Sequence, residues 1–294
     1  MARNTTILGT LRCDMGGPEH WPRTPSSGAV RLRVGVASSV AGWGESPMKV
    51  ALRLALGLGL LASAADAAEI KMIASNAVKE TYIELVPQFE KATGHKVTLS
   101  WGGTADVIRC VNAGEVADIA LATSEAIDAL LKGGKLVAGS RVDHVKSLTA
   151  VAVRQGLPKP DISSGAALSR ALVASKSVVV SGGPSGTYML ELFQKMGIAD
   201  SLKAKLTQTP PGAGVGDAMV KGAGDIGFTQ VSEFLHVKGV ELVGPLPKDV
   251  ELVTTFSSGL LPNAPQPEAA KALVRFLTAP ATAAVVKKNG LEPS

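Results

Sequence analysis

Four short stretches of small polar residues stand where this chain could do chemistry: Ser75-Asn76-Ala77, Gly103-Thr104, Pro184-Ser185-Gly186 and Thr229-Gln230. Ala213-Gly214 adds a fifth turn that offers only backbone. Hydroxyls, carboxamides and peptide N–H groups are neutral donors, and no Lys or Arg stands among them. Such a set suits a dehydrated anion, held by dipoles rather than ion pairs and read by size and proton state. Each turn alone reads equally well as ordinary helix capping. Their repetition along one chain points to a ligand. The candidate ligand-binding residues are therefore Ser75, Asn76, Ala77, Gly103, Thr104, Ser185, Gly186, Ala213, Gly214 and Gln230.

The elements that must position these turns follow from hydrophobic period. Ile70–Ala74 alternates as a strand, and Val78–Ala92 carries Tyr82, Leu85, Val86 and Phe89 on one helical face, with Gly94 as its stop. His95–Trp101 reads as a second strand before a helix over Ala105–Ala113, and Asp118–Ala122 as a third before a helix that ends at Leu131. Three strand-turn-helix units in a row predict a parallel sheet with right-handed crossovers. A longer strand near Leu148–Val153 breaks this rhythm. A second series follows: a helix over Ser164–Ala174, the valine strand Val178–Val180, and a helix for which Ser185 is placed as N-cap. Then come a helix at Val215–Lys221, a strand over Asp225–Gln230, a short helix at Val231–Leu235 and a strand at Val240–Gly244. Extended chain at Glu251–Ser257 leads to two helices, Pro267–Leu277 and Pro280–Lys288, each opening on a proline.

The fold class is thus α/β: two doubly wound lobes joined by two hinge strands. Lobe 1 is expected over 69–150 and 251–294, and lobe 2 over 151–250. Ligands of such folds sit beyond the carboxyl ends of strands, here between the lobes.

Upstream, Met48-Lys49 and Arg53 precede the apolar run Leu54–Ala62 and the small-x-small exit Ala65-Asp66-Ala67. Residues 48–67 read as a cleaved signal peptide, which implies a periplasmic protein. The preceding 47 residues, rich in Gly, Pro, Ser and Arg, read as a leader without helical or strand period. A start codon set upstream of Met48, or a natural extension, would account for it. The chain has 30 Lys and Arg against 25 Asp and Glu, but after the signal peptide the balance is only about +2. That surface argues against nucleic acid or membrane surfaces as partners. With Cys13 in the leader, Cys110 reads as a small buried hydrophobe. His95, His144 and His236 lack metal-ligand spacing, and no motif implies a metal or cofactor. Few aromatics argue against stacking sugars or bases, and Trp101 is placed in the core.

From Ile70 to Pro293 the chain resembles the periplasmic molybdate-binding protein family of ABC transporters. The likeness is carried by Gln88–Gly94, Ala113–Ile119, Gly186-Thr187-Tyr188, Gln194–Gly197, Asp225-Ile226-Gly227 and Lys287–Leu291. It implies the type II periplasmic-binding-protein fold, a monomeric receptor, an inner-membrane permease as partner and a small tetrahedral oxyanion such as molybdate or tungstate as cargo. By order, the family's two ligand serines fall at Ala77 and near Gly103 or Thr104. Its backbone contacts fall at Ser185 and near Ala213 or Gly214, and its tyrosine at Gln230. Ala77 and Gln230 depart from the pattern, which leaves a di- or tricarboxylate open as ligand. The likeness reaches aconitate isomerase as well, which moves a proton on a tricarboxylate and would need a general base. No residue stands out for that role: Tyr188 falls one helical turn too deep, and Asp106 is placed facing outward.

Overall fold

The computed structural model describes residues 7–10 and 67–294. The proposed signal segment, save Ala67, and most of the leader lie outside them.

Glu69–Ser75 (β2), Lys96–Gly102 (β3) and Ile119–Thr123 (β4) pair in parallel, in the order β3-β2-β4. They are joined by the helices Lys79–Thr93 (α1) and Thr104–Asn112 (α2); Ser124–Lys132 (α3) follows β4. α1 ends where Gly94 turns left-handed at φ 77° and gives its N–H to the Glu90 carbonyl. Ile7–Thr10 (β1) adds a parallel strand against β3. The leader showed no strand period, yet four residues suffice to cap the open edge of a sheet.

Val142–Arg154 (β5) is the long strand, and it begins six residues earlier than the sequence pattern suggested. Its first half pairs antiparallel with Val253–Leu260 (β10), which in turn pairs with β4. Its second half pairs with Ile226–Gln230 (β8) and Val240–Pro245 (β9). One strand therefore carries the sheet from one half to the other. Beyond β8 lie Val178–Val180 (β6) and Leu206–Gln208 (β7), both parallel to their neighbours. β7 and the short helix Ala199–Leu202, between β6 and β7, escaped the sequence reading; three-residue strands carry little period.

Helices cover both faces of each half. On the first half, one core joins α1 to the terminal helix Pro267–Leu277 through Tyr82, Phe89, Leu273 and Leu277. The other joins α2 and α3 through Val107, Val111, Ile127 and Leu130. The second half is covered by Gly165–Ala174 (α4) and Pro184–Lys195 (α5) on one face, through Leu168, Leu172, Met189 and Phe193. Val215–Val220 (α6) and Val231–Phe234 (α7) cover the other, through Val215, Met219 and Phe234. Cys110 is wholly buried on α2, but its sulfur is in a disulfide, which an apolar helical setting did not foretell; its partner lies outside the described residues.

A buried polar chain ties the first half together: the Tyr82 hydroxyl lies 2.7 Å from His144 Nδ1, and His144 Nε2 lies 2.8 Å from Ser258 Oγ. Burial pushes the His144 imidazole down to about 4, so it is neutral in the folded protein near pH 7. An unfolded histidine binds its proton near pH 6.5, so between pH 6.5 and 4 the unfolded chain holds more protons. Stability is then complete above pH 6.5 and falls with acidification. Urea unfolding should show a loss of about 2 kcal/mol between pH 7 and pH 5. His144→Gln should remove that part of the slope; an unchanged slope in the variant would assign it to other groups.

Candidate functional site

The strand ends meet in one place. A cavity of about 40 Å³ is walled by Ser75, Asn76, Ala77, Gly103, Thr104 and Thr123 from the first half. Ser181, Gly183, Pro184, Ser185, Gly212, Ala213, Gln230 and Glu233 wall it from the second, with Phe256 of β10. At roughly 10–15 Å³ of such space per water, it has room for about three water-sized groups.

Each wall residue is set by a local rule. Ser75 ends β2 and caps the 3-10 turn Asn76–Val78, its Oγ accepting from the Ala77 N–H at 3.4 Å. Gly103 precedes α2 and gives its N–H to Asp106 Oδ2 at 2.9 Å, which leaves Thr104, buried, as the first helical residue. Across the gap, α5 opens on Pro184 with Gly183 as its cap. Proline fits the first helical position, so the helix starts two residues before the sequence reading. Ser185 is therefore not the N-cap but the second helical residue, buried on the wall. The first-turn N–H groups of a helix have no intrahelical acceptor, so Thr104 and Ser185 bring amide as well as hydroxyl donors.

Two turns close the gap. Asn76 Nδ2 donates to the Gly212 carbonyl at 3.1 Å. Gly103 lies so close to Gly212 that a β-carbon on Gly103 would stand 2.8 Å from the Gly212 nitrogen. Gly212 itself is left-handed, at φ 75°, with Asp106 Oδ2 where its own side chain would be. Asp106 is thus not outward-facing: its side chain is only 13% exposed, bound to Gly103 and to Arg109 at 2.8 Å.

Of the ten candidate residues, eight share this wall; Gly186 and Gly214 do not. Gly186 packs the first turn of α5 onto Ser181, whose carbonyl oxygen would overlap any side chain there. Gly214 caps α6. Trp101 lies in the core, and the Tyr188 hydroxyl donates to the Val250 carbonyl at 3.0 Å, away from the wall.

Glu233 was missed by sequence reasoning and is, among the described residues, the one ionisable side chain on the wall. It stands three residues after Gln230, and its Oε2 accepts from the Thr229 hydroxyl and, at 3.4 Å, from the Gln230 N–H. That Gln-x-x-Glu spacing, a capping-box pattern, was the available signal. Burial pushes its carboxyl above the usual range, against the pull of those two bonds. Beside it, Gln230 is 4% exposed. Its Nε2 donates to Thr254 Oγ1 at 3.2 Å, while its Oε1 has no partner among the described residues.

Strand ends and helix starts meeting at the junction of two half-sheets, around neutral donors, define a solute-binding class of protein. A family model described as bacterial extracellular solute-binding protein matches residues 70–292, and the chain belongs to that family. An aconitate isomerase from a Pseudomonas species is 36% identical over 251 residues, 82% of this chain and 95% of that protein. The molybdate-binding protein ModA of Azotobacter vinelandii is 29% identical over 246 residues, 81% and 96% of the two. The solved structure of the Azotobacter vinelandii periplasmic molybdate-binding protein matches with a TM-score of 0.63 at 19% identity, covering 76% of this chain and 98% of that one. The fold is that of the type II periplasmic binding proteins.

The glycine contact can be tested without a ligand. Gly103 is extended, at φ −75° and ψ 168°, so alanine is unstrained there and meets only the turn opposite. Gly103→Ala should cost about 1–3 kcal/mol in urea unfolding, as overpacking does. Gly183→Ala, whose added carbon has only Ser181 Oγ near it at 3.3 Å, should stay within about 0.5 kcal/mol of the parent. Equal losses would mean that the turns part freely.

Proposed function

We propose that this protein is an exported receptor that captures a small anion in the cavity between its half-sheets and delivers it to an inner-membrane permease. One observation carries the reading: the wall pools hydroxyl, carboxamide and backbone groups from both halves and includes no Lys or Arg. On this reading 69–150 with 251–294 and 151–250 act as two lobes, hinged on β5 and on the chain before β10. Ser75, Asn76, Thr104, Ser185, Ala213 and Gln230 are the contacts. Residues 48–67 serve as the signal peptide.

The anion is a small oxyanion or a carboxylate. The names of the molybdate-binding relatives support the first. The wall itself favours the second. Ala77 offers no hydroxyl, Gln230 offers an acceptor, and an ionised Glu233 would repel a compact dianion.

A second reading, isomerisation of a tricarboxylate, is favoured by Glu233 together with the isomerase relative. Moving a double bond by one carbon needs a group that takes a proton from one carbon and returns it to another. A carboxyl with raised proton affinity on an otherwise neutral wall suits that exchange.

Tight ligands raise the unfolding midpoint by linkage, so a thermal-shift panel of molybdate, tungstate, sulfate, phosphate, citrate and trans-aconitate should single out the cargo. The receptor reading expects at least one anion to shift the midpoint; none doing so would sink it. Ser185→Asp should weaken that anion about a thousandfold, from roughly 4 kcal/mol of repulsion at 4 Å. An unaltered affinity, with circular dichroism showing a folded variant, would remove Ser185 from the site. Conversion of cis-aconitate to its trans isomer by the purified protein, lost in Glu233→Gln, would establish the second reading; no conversion would dismiss it.

A further inference from the structure

Two features of the wall have no use in a cage for a bare dianion. The Gln230 carboxamide is buried with its Nε2 committed to Thr254, yet its Oε1 accepts from no group among the described residues. A buried acceptor left unpaired is costly, which points to a donor supplied by whatever fills the cavity. The second feature is Glu233, three residues on. Its Oε2 already takes two donors, the Thr229 hydroxyl and the Gln230 N–H, so Oε1 is the oxygen left for a ligand.

Among the described residues Glu233 has no ion-pair partner, and no other ionisable side chain stands on the wall. The turn at Gly290 also packs on Val231 of α7; just before it Lys287 is exposed and Lys288 is paired with Glu84. On the elements packed against α7, Arg154 of β5 is paired with Asp225 at 2.7 Å, and Lys146 of β5 is exposed. His144 of β5 is bound between Tyr82 and Ser258, and Asp143 is bound to Arg141 and Ser257. Glu241 of β9 accepts from Gly156, Asp217 of α6 is exposed, and the 3-10 turn Asn76–Val78 carries no charge. Asp106 is committed to Gly103 and Arg109. Within such a cavity an ionised Glu233 and an anion cannot be neighbours without a proton between them.

We propose that capture at this site is coupled to one proton shared between Glu233 and the ligand, and that the ligand is an organic acid rather than a fully deprotonated tetrahedral oxyanion. The anionic end of the ligand takes the Thr104 and Ser185 donors, while a hydroxyl or carboxylic acid group faces Gln230 Oε1 and Glu233. In the bound complex the proton lies in a carboxyl–carboxyl or carboxyl–hydroxyl hydrogen bond. It comes from solvent, and no covalent bond to carbon changes. The same separation of roles selects against sulfate and molybdate, whose compact charge is shared by all four oxygens and leaves no separate hydroxyl or carboxyl to face Gln230 and Glu233.

This rests on the anion-receptor reading, and calorimetry separates the two. With trans-aconitate as probe, wild-type affinity should be level at acid pH and fall toward tenfold per pH unit on the alkaline side of a series from pH 5 to 9.5. Titrations at pH 8.5 in two buffers of different ionisation enthalpy should show close to one proton taken up per ligand bound. Molybdate should bind at least a hundredfold more weakly than trans-aconitate at pH 6. Glu233→Gln should flatten the pH profile, and Gln230→Glu should weaken trans-aconitate at pH 8 by at least tenfold. A flat wild-type profile with no proton uptake, or tighter molybdate than trans-aconitate, would overturn the proton coupling and leave the receptor standing. No heat and no thermal shift with any anion would overturn both. The buffer comparison uses the wild-type protein alone, so it holds whether or not either variant folds.

Discussion

The geometry of this site turns on what a small cavity does to charge. At an effective dielectric near 20, two like charges 4 Å apart repel by about 4 kcal/mol, several times the worth of a typical hydrogen bond. The cavity is about 40 Å³ with Glu233 on its wall, so a charged group that enters it lies close to that carboxyl. A wall of neutral donors tolerates an anion because dipoles stabilise charge without demanding a fixed counter-ion. One carboxyl on that wall sets a further condition on the ligand's proton. The closing contacts matter for the same reason, since admitting water would weaken both the attraction and the repulsion.

Those contacts are made mostly of backbone, with one side-chain amide. Gly103 and Gly212 meet with no room for a β-carbon, and Asn76 reaches the Gly212 carbonyl. Each partner is anchored within its own half. Asp106 fastens Gly103 from behind, and Thr209 Oγ1 holds the turn before Gly212 by donating to the Ala213 carbonyl at 3.3 Å. The halves therefore approach as preformed surfaces, and β5 passes from one to the other without a break. A single strand serving both half-sheets fixes how they face each other.

Much of this was legible in the sequence because strand-turn-helix units announce themselves by period and by what ends them. Ser75, Thr104 and Gln230 were found as polar residues at the ends of apolar runs, and all three reach the wall. The failures are equally physical. Ser185 looked like a cap by residue type, but Pro184 before it fits the first helical turn and moved the boundary. Gly186 and Gly214 were chosen for open backbone, while the structure uses Gly186 for close packing on Ser181. Asp106 seemed to belong on the polar face of its helix, yet it turned inward to fasten a glycine N–H. The Asn76–Gly212 bond spans 136 residues, and no local pattern announces so distant a partner. Glu233 lay hidden because a four-residue helix has too little period to mark an inner face.

The distance between a receptor and an isomerase on such a scaffold is short. Closing on an anion already removes water and fixes orientation, two of the larger contributions to proton-transfer catalysis. What remains is one group able to hold a proton near neutral pH and to give it back. Glu233, whose bonds to Thr229 and Gln230 favour ionisation while burial raises its proton affinity, is the candidate on this wall for that exchange. The proton that the proposed coupling brings into a receptor complex is the same one an isomerase would move. Whether it stays on oxygen or visits carbon is then decided by where the ligand's acidic C–H lies relative to Glu233, a matter of ligand shape rather than of further machinery in the protein.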